Sequence, residues 1–106
     1  MINIEIRRNS ENAVEMVKVS GHAYFAPLGH DIVCAGVSSL VQAAIMGLER
    51  HLNRDINLCQ TKDLLAVELI EKPDELTEAI LETMLLGLGE IAKLYPKSVR
   101  IVDFRR

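Results

Sequence analysis

Proline and glycine are scarce in this 106-residue chain, which contains three of the former and six of the latter. Hydrophobic residues make up 49% of it and charged residues 25%. This composition excludes a collagen-like chain and a largely disordered one. Only two cysteines are present, Cys34 and Cys59, so a scaffold stapled by several disulfides is also excluded. We therefore expect a single globular domain spanning residues 1–106.

Positive charge is scarce as well, since 12 Lys and Arg residues face 15 Asp and Glu residues and the net charge is -3. Without a positive field, direct binding to nucleic acid is disfavoured. No secretory segment opens the chain, so we expect a cytoplasmic protein with free thiols. Residues 32–48 carry no charge, but Ser38, Ser39 and Gln42 among them favour a buried helix over a membrane span.

Hydrophobic periodicity predicts that the chain opens with a β-hairpin. Apolar and polar residues alternate over residues 2–7, and a second alternating segment, residues 14–20, follows the turn sequence RNSENA. Val14 and Met16 are out of phase with Val17 and Val19. The second strand is therefore either buried on both faces or interrupted by a β-bulge.

The remaining pattern predicts two helices, a second hairpin and a final strand. The uncharged run predicts a helix from Ile32 to about Leu52, with Asp31 as its N-cap. INLCQ and LLAVELI predict the second hairpin, and Pro73 marks the first turn of a helix that reaches about Leu94. SVRIVDF closes the chain as a strand. The order ββαββαβ indicates an α+β fold in which a mostly antiparallel sheet packs with two helices.

The segment GHAYFAPLGHDIVCAG, residues 21–36, carries the residues suited to covalent chemistry. With Asp31 as the N-cap, Cys34 would be the third helical residue, where free amides and the helix dipole favour a thiolate. A neighbouring imidazole would act as general base, and both His22 and His30 are candidates. Amides of the same helical turn would hold the oxyanion. This arrangement suits a cysteine hydrolase.

Two further residues have alternative roles. Asp31 either caps the helix or orients the histidine, because a carboxylate that faced Cys34 directly would oppose the thiolate. Ser38 follows Cys34 by one turn on the same face. Its hydroxyl either bonds the substrate or is solvated or bonded to its own helix.

Other interpretations of these residues stay open. A cysteine in an apolar helix is more often an inert core residue. A metal site would need His22, His30, Cys34 and Cys59, but no CxxC or HExxH pattern is present. Cys59 is also a candidate redox partner for Cys34. A non-catalytic dimeric interaction module would explain the small size and the apolar helix.

The pattern GHA, a loop and then GHDIVCAGVS resembles the signature of the ribosomal-processing cysteine protease family, called Prp. The matching residues are His22, Gly29, Asp31, Cys34 and Ser38. Chain length and element order are similar to that family too. The resemblance implies that Cys34 and His22 form the catalytic dyad, that His30 is not the base, and that the enzyme needs no metal or other cofactor.

The resemblance also implies a substrate and an assembly. The substrate would be the N-terminal extension of large-subunit ribosomal protein twenty-seven, removed during ribosome maturation. The protein would be a homodimer in which the segment from Gly21 to Asp31 covers the active site, with Gly29 as a hinge. Within that segment, Tyr24 and Phe25 either line an apolar peptide pocket or pack the cover down.

Overall fold

The computed structural model describes residues 1–21 and 30–104, with residues 30 and 31 described by their backbone alone. The elements are β1 (Ile2–Arg8), β2 (Val14–Ser20), α1 (His30–Met46), a π-helical turn (Gly47–His51), β3 (Ile56–Gln60), β4 (Leu64–Leu69), α2 (Glu75–Leu94) and β5 (Val99–Phe104). The predicted order of strands and helices is confirmed.

The five strands form one sheet in the order β3-β4-β2-β1-β5. Neighbouring strands are antiparallel except for β1 and β5, which are parallel. The two helices pack against each other and share one buried core with the inward side chains of the strands. The opposite face of the sheet carries ion pairs such as Arg7 with Glu15 and Lys18 with Glu5. The fold is therefore two layers, helices on sheet, as the sequence predicts.

A β-bulge in β2 explains the phase conflict seen in the sequence. Arg7 pairs with Met16, but the next residue, Arg8, pairs with Val14, so Glu15 is the extra residue. This insertion returns Val14 to the buried face of the sheet, where it is fully buried. Of the two interpretations, the bulge is the one observed.

The start of α1 differs from the prediction. The helix begins at His30, so Asp31 is its second residue rather than its N-cap, and Cys34 is the fifth residue rather than the third. An acidic residue is favoured both at the cap and inside the first turn, so sequence alone does not separate the two positions. Asp31 therefore does not occupy the predicted N-cap position, and the role of its side chain in orienting a histidine stays a prediction.

The start of α2 differs by a smaller amount. Asp74 is the N-cap, where its carboxylate accepts the N–H groups of Leu76 and Thr77 while the Thr77 hydroxyl accepts the N–H of Asp74. Pro73 therefore lies just before the cap and not in the first turn. The Asp74 carboxylate accepts hydrogen bonds from two backbone amides at the start of the helix, and a proline side chain has no atom that could accept them.

Candidate active site

Cys34 lies on the flank of α1 that faces away from α2. Val33 and Val37 are buried in the core, while Gly36 and Leu40 lie on the side that contacts α2. Cys34 is half-buried and packs against the edge of the core. Its thiol is therefore not sealed in the hydrocarbon interior of the protein.

A polar cleft lies along the same flank of the helix and begins one turn after Cys34. Ser38 and Gln42 follow Cys34 at intervals of four residues, so the three share one side of α1. The cleft separates this side from the turn between β3 and β4 and has a volume of about 240 Å³. It is lined by Ser38, Gln42, Gln60, Thr61, Lys62, Leu64 and Leu65.

Three of the polar side chains in the cleft have no hydrogen-bond partner among the described groups. They belong to Ser38, Gln42 and Gln60, which make no side-chain hydrogen bond within residues 1–21 and 32–104. The alternative in which the Ser38 hydroxyl bonds its own helix is therefore not observed. Polar groups that a fold leaves solvated can exchange water for a ligand at little cost, whereas groups bonded within the protein cannot. The cleft can accordingly offer both donors and acceptors to a peptide.

The structure brings Cys34 and Ser38 together, and it places Asp31 three residues before Cys34 in the same helix. His22 and Gly29 lie outside the described residues, as do Tyr24 and Phe25. The catalytic pairing of His22 with Cys34, the hinge at Gly29 and the covering role of the segment stay predictions.

The residue just before His22 has a defined backbone requirement. Gly21 adopts a positive φ of 79°, which side chains rarely tolerate. A Cβ atom at this position would overlap the carbonyl oxygen of Met1. The glycine of the GHA pattern therefore allows the end of β2 to pass close to the first residue.

Cys59 lies on the other face of the sheet from α1. It pairs with Ala66, which in turn pairs with Lys18 on the solvent-facing side. Both cysteines are free, and the sheet separates them. The redox pair and the metal site that would have combined Cys34 with Cys59 are excluded. Among the residues with described side chains, no group of three or more His, Cys, Asp or Glu is placed to hold a metal.

Sequence reasoning missed most of the cleft. Gln42 had a detectable signal, since it is a polar residue eight positions after Cys34 in an uncharged helix. Gln60, Thr61 and Lys62 had none, because they belong to a hairpin turn whose approach to α1 depends on strand order.

Comparisons with known proteins agree with this chemistry. The sequence profile of the cysteine protease Prp family matches residues 1–100. A ribosomal processing cysteine protease Prp from Staphylococcus aureus is 34% identical over 104 residues, covering 95% of this chain and 97% of that protein.

Two crystal structures of the S. aureus protease extend the likeness to the fold. The complex with a substrate peptide matches with a TM-score of 0.91 at 25% identity, covering 98% of this chain and 100% of the other. The complex with a covalently linked product peptide matches with a TM-score of 0.81 at 28% identity, with the same coverage. The chain therefore belongs to the Prp family of ribosomal-processing cysteine proteases.

Proposed function

We propose that this protease removes the N-terminal extension of large-subunit ribosomal protein twenty-seven, with Cys34 as the nucleophile and His22 as the general base. The observation that carries the proposal is a half-buried thiol near the start of α1, one helical turn before a polar cleft. The covalently linked product peptide in the S. aureus structure supports a covalent mechanism for the family.

The proposed reaction has two covalent steps. The Cys34 thiolate attacks the carbonyl carbon of the scissile bond, and the resulting oxyanion collapses as the C–N bond breaks. The protonated His22 gives its proton to the leaving amine, and a thioester remains. Neutral His22 then takes a proton from water, which attacks the thioester and releases the carboxylic acid and the Cys34 thiolate, so that the starting pair of thiolate and protonated His22 is restored.

The position of Cys34 as the fifth residue of α1 determines which backbone amides can stabilise the thiolate and the oxyanion. Side chains of a helix tilt toward its N-terminus, so a group at Cys34 extends over the first turn. The amides without an intrahelical acceptor belong to that turn, and the positive end of the helix dipole lies there too. These amides are the ones we expect to stabilise the thiolate and the oxyanion.

The test is cleavage of the purified ribosomal substrate in its extended and mature forms, read by intact mass. We expect a single cut in the extended form only. Cys34→Ala and His22→Ala should abolish the cut. Cys59→Ala is the matched control, because it removes the other thiol from the opposite face of the sheet and should keep the wild-type rate. No cleavage by the wild-type protein would leave the non-catalytic, ribosome-associated interaction module as the better account, and full cleavage by Cys34→Ala would show that Cys34 is not the nucleophile.

The homodimer is part of the same proposal, supported by the apolar outer surface of the helices. The segment Ile32–His51 has a mean hydropathy of 1.6 with 33% of it buried, and by length and composition alone it could span a membrane. A groove of about 440 Å³ runs between the helices beside Leu40, Ala43 and Ile80. Leu86 on α2 is 74% exposed. Exposed apolar surface of this extent is typical of an interface.

Sedimentation velocity tests the dimer. We expect the wild-type protein to sediment as a dimer at micromolar concentration and Ala43→Glu, which places a charge in the helix groove, to sediment as a monomer. Ile70→Glu is the control, since Ile70 is 58% exposed at the end of β4 and away from the groove. A monomeric wild-type protein would contradict the proposal.

The proposal also places the reaction in the cytoplasm, with no direct contact to nucleic acid. Free thiols at both cysteines and a net charge of -3 support this. Cell fractionation should find the protein in the cytoplasmic fraction, and a gel-shift assay with ribosomal RNA should show no complex. Salt-resistant recovery with membranes, or a stable RNA complex, would contradict it.

A further inference from the structure

The sheet has a free edge at β3. This strand is last in the sheet order, so within the described part of the chain only β4 bonds to it. The Thr61 N–H donates to the Leu64 carbonyl at 2.8 Å, which makes these two residues a hydrogen-bonded pair of the hairpin. In an antiparallel ladder, bonded and non-bonded pairs alternate. Every second residue of β3 therefore points its main-chain groups away from β4.

The register identifies which residues these are. Gln60 pairs with Leu65 next to the bonded pair that closes the hairpin, and Leu58 pairs with Val67 two residues further. Both positions are non-bonded by the alternation, so the N–H and C=O groups of Leu58 and Gln60 face the free edge. The strand is also exposed, with Leu58 45% accessible.

The free edge of β3 leads directly to the candidate active site. The side chain of Gln60 lines the same polar cleft as Ser38 and Gln42, and Ser38 lies one helical turn from Cys34. The cleft has a volume of about 240 Å³. The free edge and the cleft therefore share Gln60, and the cleft begins one helical turn after the thiol.

We propose that the peptide substrate binds as an added strand on the edge of β3. Its main chain pairs with the free groups of Leu58 and Gln60, and the side-chain amides of Gln42 and Gln60 bond the peptide group that enters the cleft toward Cys34. The inference rests on the proposed function, since it concerns the substrate of the same site. An extended peptide is the occupant because the edge offers unpaired main-chain groups, and the polar cleft beside it begins one helical turn from the nucleophile.

The test uses a synthetic peptide that spans the extension and the first residues of the mature ribosomal protein. The peptide is N-methylated at one backbone nitrogen at a time, and its binding to the Cys34→Ala protein is measured by fluorescence anisotropy. An added strand bonds its neighbour through every second residue. We expect the Kd to rise at least about tenfold at alternate positions and to stay unchanged between them.

Side-chain variants in the Cys34→Ala background give a second readout. Gln42→Ala and Gln60→Ala should each raise the Kd about fivefold, the size expected for one lost hydrogen bond. Asn57→Ala is the matched control, because Asn57 lies on the same strand, but its main chain faces β4 and its side chain lies outside the cleft. A flat N-methylation scan, or no effect of either glutamine, would overturn the inference.

The outcomes separate this inference from the proposed function. If the wild-type protein cleaves the peptide but the scan is flat, the function stands and the added strand is wrong. If the peptide binds with alternating sensitivity but is not cleaved, the added strand stands and the proposed function fails. A peptide that neither binds nor is cleaved overturns both.

Discussion

The two ends of the sheet treat their polar groups in opposite ways. At one end, Arg8 is only 3% exposed, and its guanidinium donates to both carboxylate oxygens of Asp103 at 2.8 and 2.9 Å. It also donates to Glu82 at 2.7 Å and to the carbonyl of Asn12 at 2.9 Å. The hydrogen bond to Asp103 is the main reason that the pKa of Arg8 is raised. Charge at this end is matched within the protein.

At the other end, polar groups are left for solvent or a ligand. Ser38, Gln42 and Gln60 border an open cleft and have no partner among the residues described. The difference teaches which groups serve the fold and which are available for function. Buried charge must be paired for the chain to fold, whereas solvated hydroxyl and amide groups carry no such requirement.

Removing the nucleophile should give the largest effect on activity and a small one on stability. Cys34→Ala should lower kcat/KM for the extension peptide at least about a thousandfold, because no other group in the site can form the thioester. Its free energy of unfolding should change by about 1 kcal/mol or less, since the thiol is only half-buried. Peptide kinetics and urea denaturation measure the two quantities. If Cys34→Ala loses activity only because it unfolds, Cys34 serves the fold in the same way as Arg8, and the difference between the two ends is wrong.

Removing the buried guanidinium of Arg8 should lower stability strongly and leave activity unchanged. Arg8→Met should lower the free energy of unfolding by about 3 kcal/mol, because Asp103 and Glu82 lose the cation that matches them. Its kcat/KM per folded molecule should match the wild type. Arg100→Met, at an exposed arginine of β5, is the control and should be nearly neutral. Equal stability of the two variants in urea would show that the Arg8 cluster does not hold this end together.

Removing the Ser38 hydroxyl tests whether the cleft contacts the substrate. Ser38→Ala should lower kcat/KM about fivefold through loss of one hydrogen bond to the substrate, with an unchanged free energy of unfolding. Ser39→Ala is the matched control, because Ser39 is the adjacent exposed serine outside the cleft. If both variants behave alike in steady-state kinetics, the position of Ser38 in the cleft has no functional meaning.

The pH dependence of stability gives the smallest effect. Amide hydrogen bonds, with Thr77 the main donor, and the 2.6 Å ion pair with Arg54 lower the pKa of Asp74 below 3.8. A carboxylate with a lowered folded-state pKa stabilises the fold above its unfolded pKa, and this contribution is lost as the pH falls through the folded value. Thermal melts of Asp74→Asn should therefore show a deficit at neutral pH that shrinks below about pH 4. Glu75→Gln, in the same helical turn, should show a smaller deficit.

Local pattern was sufficient for most elements, and its errors lie at helix starts. The alternation in β1 and β2 is a property of adjacent residues, so the first hairpin was predicted along with its phase conflict. Asp31 was misplaced because the helix dipole favours an acid throughout the first turn. Asp74, unlike Asp31, is an N-cap: its carboxylate accepts hydrogen bonds from two amides and fixes the start of α2.

The sequence by itself determined the order of strands and helices, the apolar character of the core helix α1 and the resemblance that singles out Cys34 and His22. All three depend on residues close along the chain, whose spacing sets which side chains share a face. Only the tertiary structure decided that Gln60 meets Ser38 across a cleft, that Cys59 lies behind the sheet, and that Arg8 is closed in by Asp103. Ser38 and Gln60 are 22 positions apart in the chain, and Arg8 and Asp103 are 95 apart. These placements depend on the order of the strands and on the face of the sheet, and the spacing of neighbouring residues predicts neither.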